Sequence, residues 1–264
     1  MFRISLLLVF ACSSFLLAQG GTQARIQKKT YEFKEAGKDM EYALFVPSKY
    51  DKNARTPLMV ALHGLGSTPQ QILRYAGLTD LAEKHGYIVV APMGYNTGGW
   101  YGNTIPFKKN KNDPPNLAEL SEKDVMNVLA IVRKEYNIDE SRIYLMGHSM
   151  GGGGAWHLGL KYPDIWAGIA PIAPAMFRNP TDIAKIKHIA VILVQGDKDK
   201  LCPVENARKW ADAMKKQEMK YEYIEVAGGG HVDVAFQNMP KIFAFFEKHK
   251  KADKSPGPKI EESK

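Results

Sequence analysis

Residues 142–154 read Arg142-Ile143-Tyr144-Leu145-Met146-Gly147-His148-Ser149-Met150-Gly151-Gly152-Gly153-Gly154. The run up to Met146 has the length and apolar character of a buried strand. Gly147-His148-Ser149-Met150-Gly151 then matches G-x-S-x-G where a helical pattern begins near Met150. A strand-to-helix turn this tight leaves no room for flanking Cβ atoms, so glycines surround a serine whose hydroxyl is pushed into the open. A glycine-rich helix start packed on a sheet would account for the glycines alone. The rest of the chain has to decide between that and a reactive serine.

On both sides of this turn, apolar runs of strand length alternate with amphipathic stretches of helix length, the pattern of βαβ units and a largely parallel sheet. Tyr31 to Phe33 and Glu41 to Val46 read as an antiparallel entry pair. Leu58 to Leu62, Tyr87 to Ala91, Ile143 to Met146, Gly168 to Ile172, Ile189 to Gln195 and Tyr221 to Val226 read as the main strands. Between them Gln70 to Lys84, Ser121 to Tyr136, Met150 to Lys161, Val204 to Lys220 and Phe236 to Lys250 carry apolar residues three and four apart, as helices covering a sheet do. The expected fold class is therefore α/β, a mostly parallel sheet with helices on both faces. Residues 92–120 break the rhythm as a long loop, of the kind that often serves a site.

At 264 residues, with 45% hydrophobic and 24% charged, the chain fits one large globular domain, expected over residues 21–250. The net charge of +8 comes from 36 basic residues interspersed with 28 acidic ones and forms no long basic block, so no nucleic-acid partner is indicated. Met1-Phe2-Arg3, the apolar Ile4 to Ala18 and a small-x-small ending at Ala18-Gln19-Gly20 make residues 1–20 a secretory signal peptide. That apolar run is shorter than the roughly 20 residues a spanning helix needs, and no later run is as long, so a secreted or periplasmic protein without a membrane span is expected. Cleavage after Gly20 removes Cys12 and leaves Cys202 without a disulfide partner. Lipid attachment at Cys12 would be the alternative, but Val9-Phe10-Ala11 departs from the small residues expected there. The polar stretch 251–264 reads as a disordered tail.

A serine hydroxyl is a poor nucleophile at neutral pH and needs a base. Of the seven histidines, His231 follows Gly228-Gly229-Gly230 on a flexible loop after the last strand. His85, His157, His188 and His249 sit among polar neighbours and read as solvated surface residues, and His63 and His148 as local structural residues. The carboxylate that orients the base is expected at the carboxyl edge of the strand ending in Gln195, where Gly196-Asp197-Lys198-Asp199 follows. Asp199 is the choice, with Asp197 turning the loop. Asp164, Asp182 and Asp233 read as turn or surface residues. His63-Gly64-Leu65-Gly66, after the strand Leu58 to Leu62, suits an oxyanion hole in which the Leu65 N–H and the Met150 N–H aim at developing charge.

The order Ser149, Asp199, His231 with the His63-Gly64 turn and the Gly147 to Gly151 elbow resembles the α/β-hydrolase family over about residues 28 to 250. Gly147-His148-Ser149-Met150-Gly151-Gly152, Tyr162-Pro163-Asp164, Gly196-x-x-Asp199-x-x-x-Pro203 and Gly229-Gly230-His231 resemble secreted esterases of the feruloyl esterase and polyhydroxybutyrate depolymerase group, and related bacterial carboxylesterases equally. The run Ser149 to Gly154 is also similar to cutinase-type polyester hydrolases, but the paired cysteines those carry near the carboxyl end are missing here. The resemblance implies a serine carboxylic-ester hydrolase acting through an acyl-enzyme on short or aryl esters, small or polymer-borne. Independently of it, Trp100 and Tyr101 in the long loop read either as an aromatic wall for an aryl acyl group or as packing of that loop onto the domain. A serine peptidase on the same fold, and a binding protein that kept the scaffold without turnover, are the competing classes. No G-x-x-x-x-G-K, C-x-x-C or H-E-x-x-H appears, so no cofactor and no metal are expected.

Overall fold

Every residue of β3 (Thr56–Leu62) is buried, yet Leu58, Val60 and Leu62 pack into one core cluster and Met59 and Ala61 into another. A strand sends successive side chains to opposite faces, so this strand carries two cores, which requires a sheet covered on both sides. The same division runs through β5 (Ile138–His148), where Ile143 and Leu145 oppose Tyr144 and Met146. It recurs in β7 (Ala190–Gly196), where Val191 and Leu193 oppose Ile192 and Val194.

The structure, a computed structural model, describes residues 21–103 and 111–252. The expected signal segment 1–20, residues 104–110 of the long loop and residues 253–264 of the expected tail lie outside the described residues. Together with β1 (Gln27–Phe33), β2 (Lys38–Phe45), β4 (Ile88–Pro92), β6 (Gly168–Ile172) and β8 (Tyr221–Val226), the strands form one sheet in the order β1-β2-β4-β3-β5-β6-β7-β8. Only β2 runs antiparallel to its neighbours; every other adjacent pair is parallel. The first face is covered by α3 (Leu117–Glu135), α4 (Met150–Lys161) and α5 (Val204–Lys216). The second is covered by α1 (Pro69–Leu73), α2 (Leu78–His85), α6 (Asp233–Gln237) and α7 (Met239–Lys248).

Two expected helices are each divided in two. The stretch from Gln70 to Lys84 breaks after Leu73, and α2 starts behind Gly77, whose φ of 82° lies in the left-handed region that glycine tolerates. The stretch from Phe236 breaks at Asn238, whose side-chain amide donates to the Val234 carbonyl, and Pro240 stands in the first turn of α7. β5 extends beyond the expected Ile143 to Met146 at both ends. The first residue of the expected tail is also held in place. The Lys251 N–H donates to the Ser141 carbonyl and its ammonium to those of Asp164 and Ile165, so residue 251 packs with the domain.

Candidate active site

β5 runs directly into α4 through Ser149, whose φ of 60° and ψ of −117° are unusual for a residue with a side chain. The turn is tight enough that a Cβ on Gly147 would lie 2.0 Å from the Gly151 carbonyl oxygen, and one on Gly151 would lie 2.1 Å from that of Leu62. Backbone cannot retreat from such contacts, so both glycines are required by close approach. The Ser149 N–H donates to Ile172 O of the neighbouring strand at 2.9 Å, which fixes the turn at the carboxyl ends of β5 and β6.

Ser149 Oγ lies 2.8 Å from His231 Nε2, and His231 Nδ1 lies 2.8 Å from Asp199 Oδ2. A nitrogen facing a carboxylate carries the ring hydrogen in the neutral imidazole, which leaves the Nε2 lone pair toward the serine hydroxyl. Asp199 is buried and fully hydrogen-bonded. Oδ1 accepts from the Leu201 and Cys202 amides, both at 2.8 Å, and Oδ2 also accepts from Gln195 Nε2 at 3.0 Å. Burial opposes its ionisation, but the bonds from the Cys202 amide, His231 and the Leu201 amide outweigh it and hold the carboxyl below its ordinary value. Asp197 instead accepts the Gly228 amide at 2.7 Å and ties down the loop that carries His231.

His148 fills the space behind the base. Its Nε2 faces the His231 carbonyl oxygen and its Nδ1 the Tyr75 hydroxyl, each at 2.8 Å. Burial drives His148 down to about 4 and Tyr75 up to about 12, so both are neutral near pH 7. The sequence reading missed Tyr75 and Gln195. Tyr75 falls inside the helix expected over Gln70 to Lys84, and Gly77 is the sign in the sequence that the helix breaks beside it.

The His63-Leu65 turn lies against the serine: a Cβ on Gly64 would meet Ser149 Cβ at 3.5 Å. Among the described residues the amides of Gly66, Ser67, Ser149 and Gly153 are taken up by backbone carbonyls, and those of Leu65 and Met150 are not. Beside these amides opens a cavity of about 560 Å³, in the size range of small-molecule sites. Leu65, Trp100, Phe177, Leu201 and Val232 line it together with Ser149, His148 and His231, and among the described residues no Asp, Glu, Lys or Arg side chain lines it. Tyr101 does not reach the cavity. It is fully buried with its hydroxyl donating to the His63 carbonyl at 3.3 Å, which corrects the expectation of a paired aromatic wall. Of the two residues only Trp100 lines the cavity, and both have positive φ.

Of the four histidines expected at the surface, His188 is exposed as expected and contacts the Pro163 carbonyl, whereas the other three are partly buried: His157 pairs with Glu122 at 2.7 Å, His85 stacks on Phe243, and His249 meets the Phe245 ring in a tilted contact. Asp199, Cys202 and His231 bring donor atoms within 4.8 Å of one another. As a metal site this set is poor. The carboxylate is already saturated, and burial, with the nearby Asp199 charge, pushes the Cys202 thiol up to about 12.

An eight-stranded, mostly parallel sheet with a serine on a strained strand-to-helix turn defines an α/β-hydrolase. The sequence profile of the Esterase family, described as "Putative esterase", matches residues 34–246, and the chain belongs to that family. It is 30% identical over 166 residues to S-formylglutathione hydrolase of Rattus norvegicus, covering 59% of this chain and 57% of that protein. It is 31% identical over 134 residues to feruloyl esterase B of Neurospora crassa, covering 48% of this chain and 43% of that protein. The chain thus spans about half the length of these curated relatives. Among solved structures it resembles a thermostable esterase at TM-score 0.69 and 24% identity, covering 87% of this chain and 64% of that one. It resembles a ferulic acid esterase of Anaeromyces mucronatus at TM-score 0.65 and 18% identity, covering 85% and 90%.

Proposed function

We propose that the protein is a serine carboxylic-ester hydrolase whose nucleophile is Ser149, with His231 as base, Asp199 as its orienting carboxylate and the Leu65 and Met150 amides as oxyanion donors. The observation that carries this reading is the unbroken contact chain Ser149 Oγ, His231 Nε2, His231 Nδ1, Asp199 Oδ2 at 2.8 Å per link. Ser149 Oγ adds to the ester carbonyl as its proton passes to His231 Nε2, and the oxyanion forms at the two amides. As the intermediate collapses, the same proton goes to the departing alkoxide, leaving an acyl-serine and a free alcohol. Water, deprotonated by His231, then adds to the acyl carbon, and its collapse releases the carboxylic acid and restores the Ser149 hydroxyl.

The substrate class is a neutral ester with an apolar, short or aryl acyl group. An uncharged cavity lined by Leu65, Trp100 and Phe177 supports that choice, since it offers an ionic substituent no counter-charge. A polymer-borne ester is the second reading, favoured by Leu65, Leu201 and Val232, which are 62%, 69% and 51% exposed at the cavity mouth. Residues 1–20 act as an export signal, so the mature chain starts at Gly21; N-terminal sequencing of exported protein checks this.

The deciding experiment compares p-nitrophenyl acetate, methyl ferulate, a polyester film and a chromogenic peptide as substrates for the wild type and Ser149→Ala. Ester hydrolysis is expected to fall by about 10⁶ in the variant, and intact mass is expected to show an organophosphonate on Ser149 only. Activity surviving Ser149→Ala, or labelling elsewhere, would refute the assignment.

A further inference from the structure

We infer that His148, the residue immediately before the nucleophile, is a positioning residue that clamps the base: its Nε2–H donates to the main-chain carbonyl of His231 and locks the base-bearing loop to the elbow. The inference rests on the triad reading above. His231 is carried by Gly228-Gly229-Gly230, which offers no side chains to pack, so hydrogen bonds have to hold the loop. Four of these bonds act upstream of the base or beside it. The Gly228 amide donates to Asp197 Oδ1, the Gly229 amide to Val226 O, the Lys198 amide to Gly229 O, and the Gly230 amide to Asp233 Oδ1. Among the described residues, only the 2.8 Å contact from His148 Nε2 reaches the His231 backbone from the elbow itself.

The tautomer follows from its partners. A carbonyl oxygen only accepts, so the hydrogen of the neutral ring sits on Nε2. Nδ1 is then the acceptor, and the Tyr75 O–H donates to it at 2.8 Å. Tyr75 is itself held by Phe236 at 4.9 Å in an edge-on ring contact, and the His148 and His231 rings lie 5.0 Å apart. His148 pairs in register with Ile172 at the end of β5, so the donor is as rigid as the sheet. The residue that sets the Ser149 turn therefore also sets where the base ring stands relative to Ser149 Oγ. Reach of this kind matters because a misplacement of about 1 Å can cost on the order of a hundredfold in rate.

Long-range ¹H–¹⁵N spectra of the full chain, with His148 assigned by difference against His148→Gln, should show a neutral ring protonated on Nε2 from about pH 6 to 8. An Nδ1–H tautomer or an imidazolium at pH 7 would overturn the proposal. Kinetics supply a second readout. His148→Phe should lower kcat on p-nitrophenyl acetate by between about tenfold and a hundredfold with KM within about threefold, and slow phosphonylation of Ser149 by the same factor. His148→Gln, whose amide nitrogen reaches near the Nε2 position, should restore kcat to within about threefold of wild type. An unchanged kcat in His148→Phe, or a Gln variant as impaired as the Phe one, would also overturn it. Survival of activity in Ser149→Ala would remove the triad reading and leave the tautomer result standing, so the two failures are distinguishable.

Discussion

Ser149 holds a backbone conformation that most side chains avoid, and the elbow keeps it there because Gly147 and Gly151 allow backbone within 2.1 Å of where their Cβ atoms would be. The two aspartates after Gly196 show how position alone separates roles. Asp199 accepts four hydrogen bonds, one from His231, whereas Asp197 accepts the Gly228 amide two residues before the base loop's last glycine. Asp199→Asn is expected to lower kcat on p-nitrophenyl acetate by about 10⁴, because an amide can donate to Nδ1 and so favours the wrong tautomer. Asp197→Asn loses only a loop anchor, and its cost should stay below about tenfold. A larger loss for Asp197→Asn would exchange the assignments.

The loop between β4 and α3 places Trp100 in the cavity by placing Tyr101 out of it. Both residues have positive φ, at 63° and 52°, a strained pair that persists because its surroundings hold it. The Tyr101 N–H donates to Ser121 Oγ on α3 at 2.8 Å, and Asn103 donates to the Ala175 carbonyl at 3.2 Å. Truncation should separate the two functions. Trp100→Ala is expected to raise KM for methyl ferulate by about tenfold with little change in Tm, since it removes a wall of the cavity. Tyr101→Ala is expected to destabilise by about 3–5 kcal/mol, read as a lowered denaturation midpoint, since it empties a fully buried site. Equal KM effects in both variants would mean that Trp100 acts only through the loop.

Across the whole molecule, the helices on one face are tied by a polar cluster away from the site. Glu122 of α3 meets His157 and Lys161 of α4 and the Tyr162 hydroxyl, at 2.7, 2.7 and 2.5 Å. Burial opposes its ionisation, but the bonds from His157, Lys161 and Tyr162 outweigh it and bring Glu122 down to about 2. A carboxyl whose folded value is depressed contributes stability that is present above its unfolded value and lost as pH falls through the folded one. For Glu122 the window runs from about pH 4.5 down to about 2. Glu122→Gln is therefore expected to lower Tm by about 4–8 °C at pH 7, corresponding to about 2 kcal/mol, and by much less near pH 2. A difference in Tm that does not change with pH would show that the lost contribution is packing.

Much of this architecture was legible in the chain because it depends on local rules. Alternating burial along Leu58 to Leu62 and Ile143 to Met146 is a period-two pattern, and the glycines around Ser149 mark a turn that needs them. The order Ser149, Asp199, His231 could be read because each follows a strand, and parallel strands end on one edge of a sheet. What depended on distant partners was not legible. His148 acquires its role from a carbonyl 83 residues away, Tyr75 from a helix break that turns its hydroxyl toward His148, and Gln195 from a carboxylate across its own turn. Trp100 and Tyr101 are neighbours of similar chemistry, and only folding sent one into the cavity and the other into the core. Periodicity and turn chemistry act between residues near in sequence, whereas hydrogen-bond partners and cavity walls come from segments that meet only when the sheet closes its two cores.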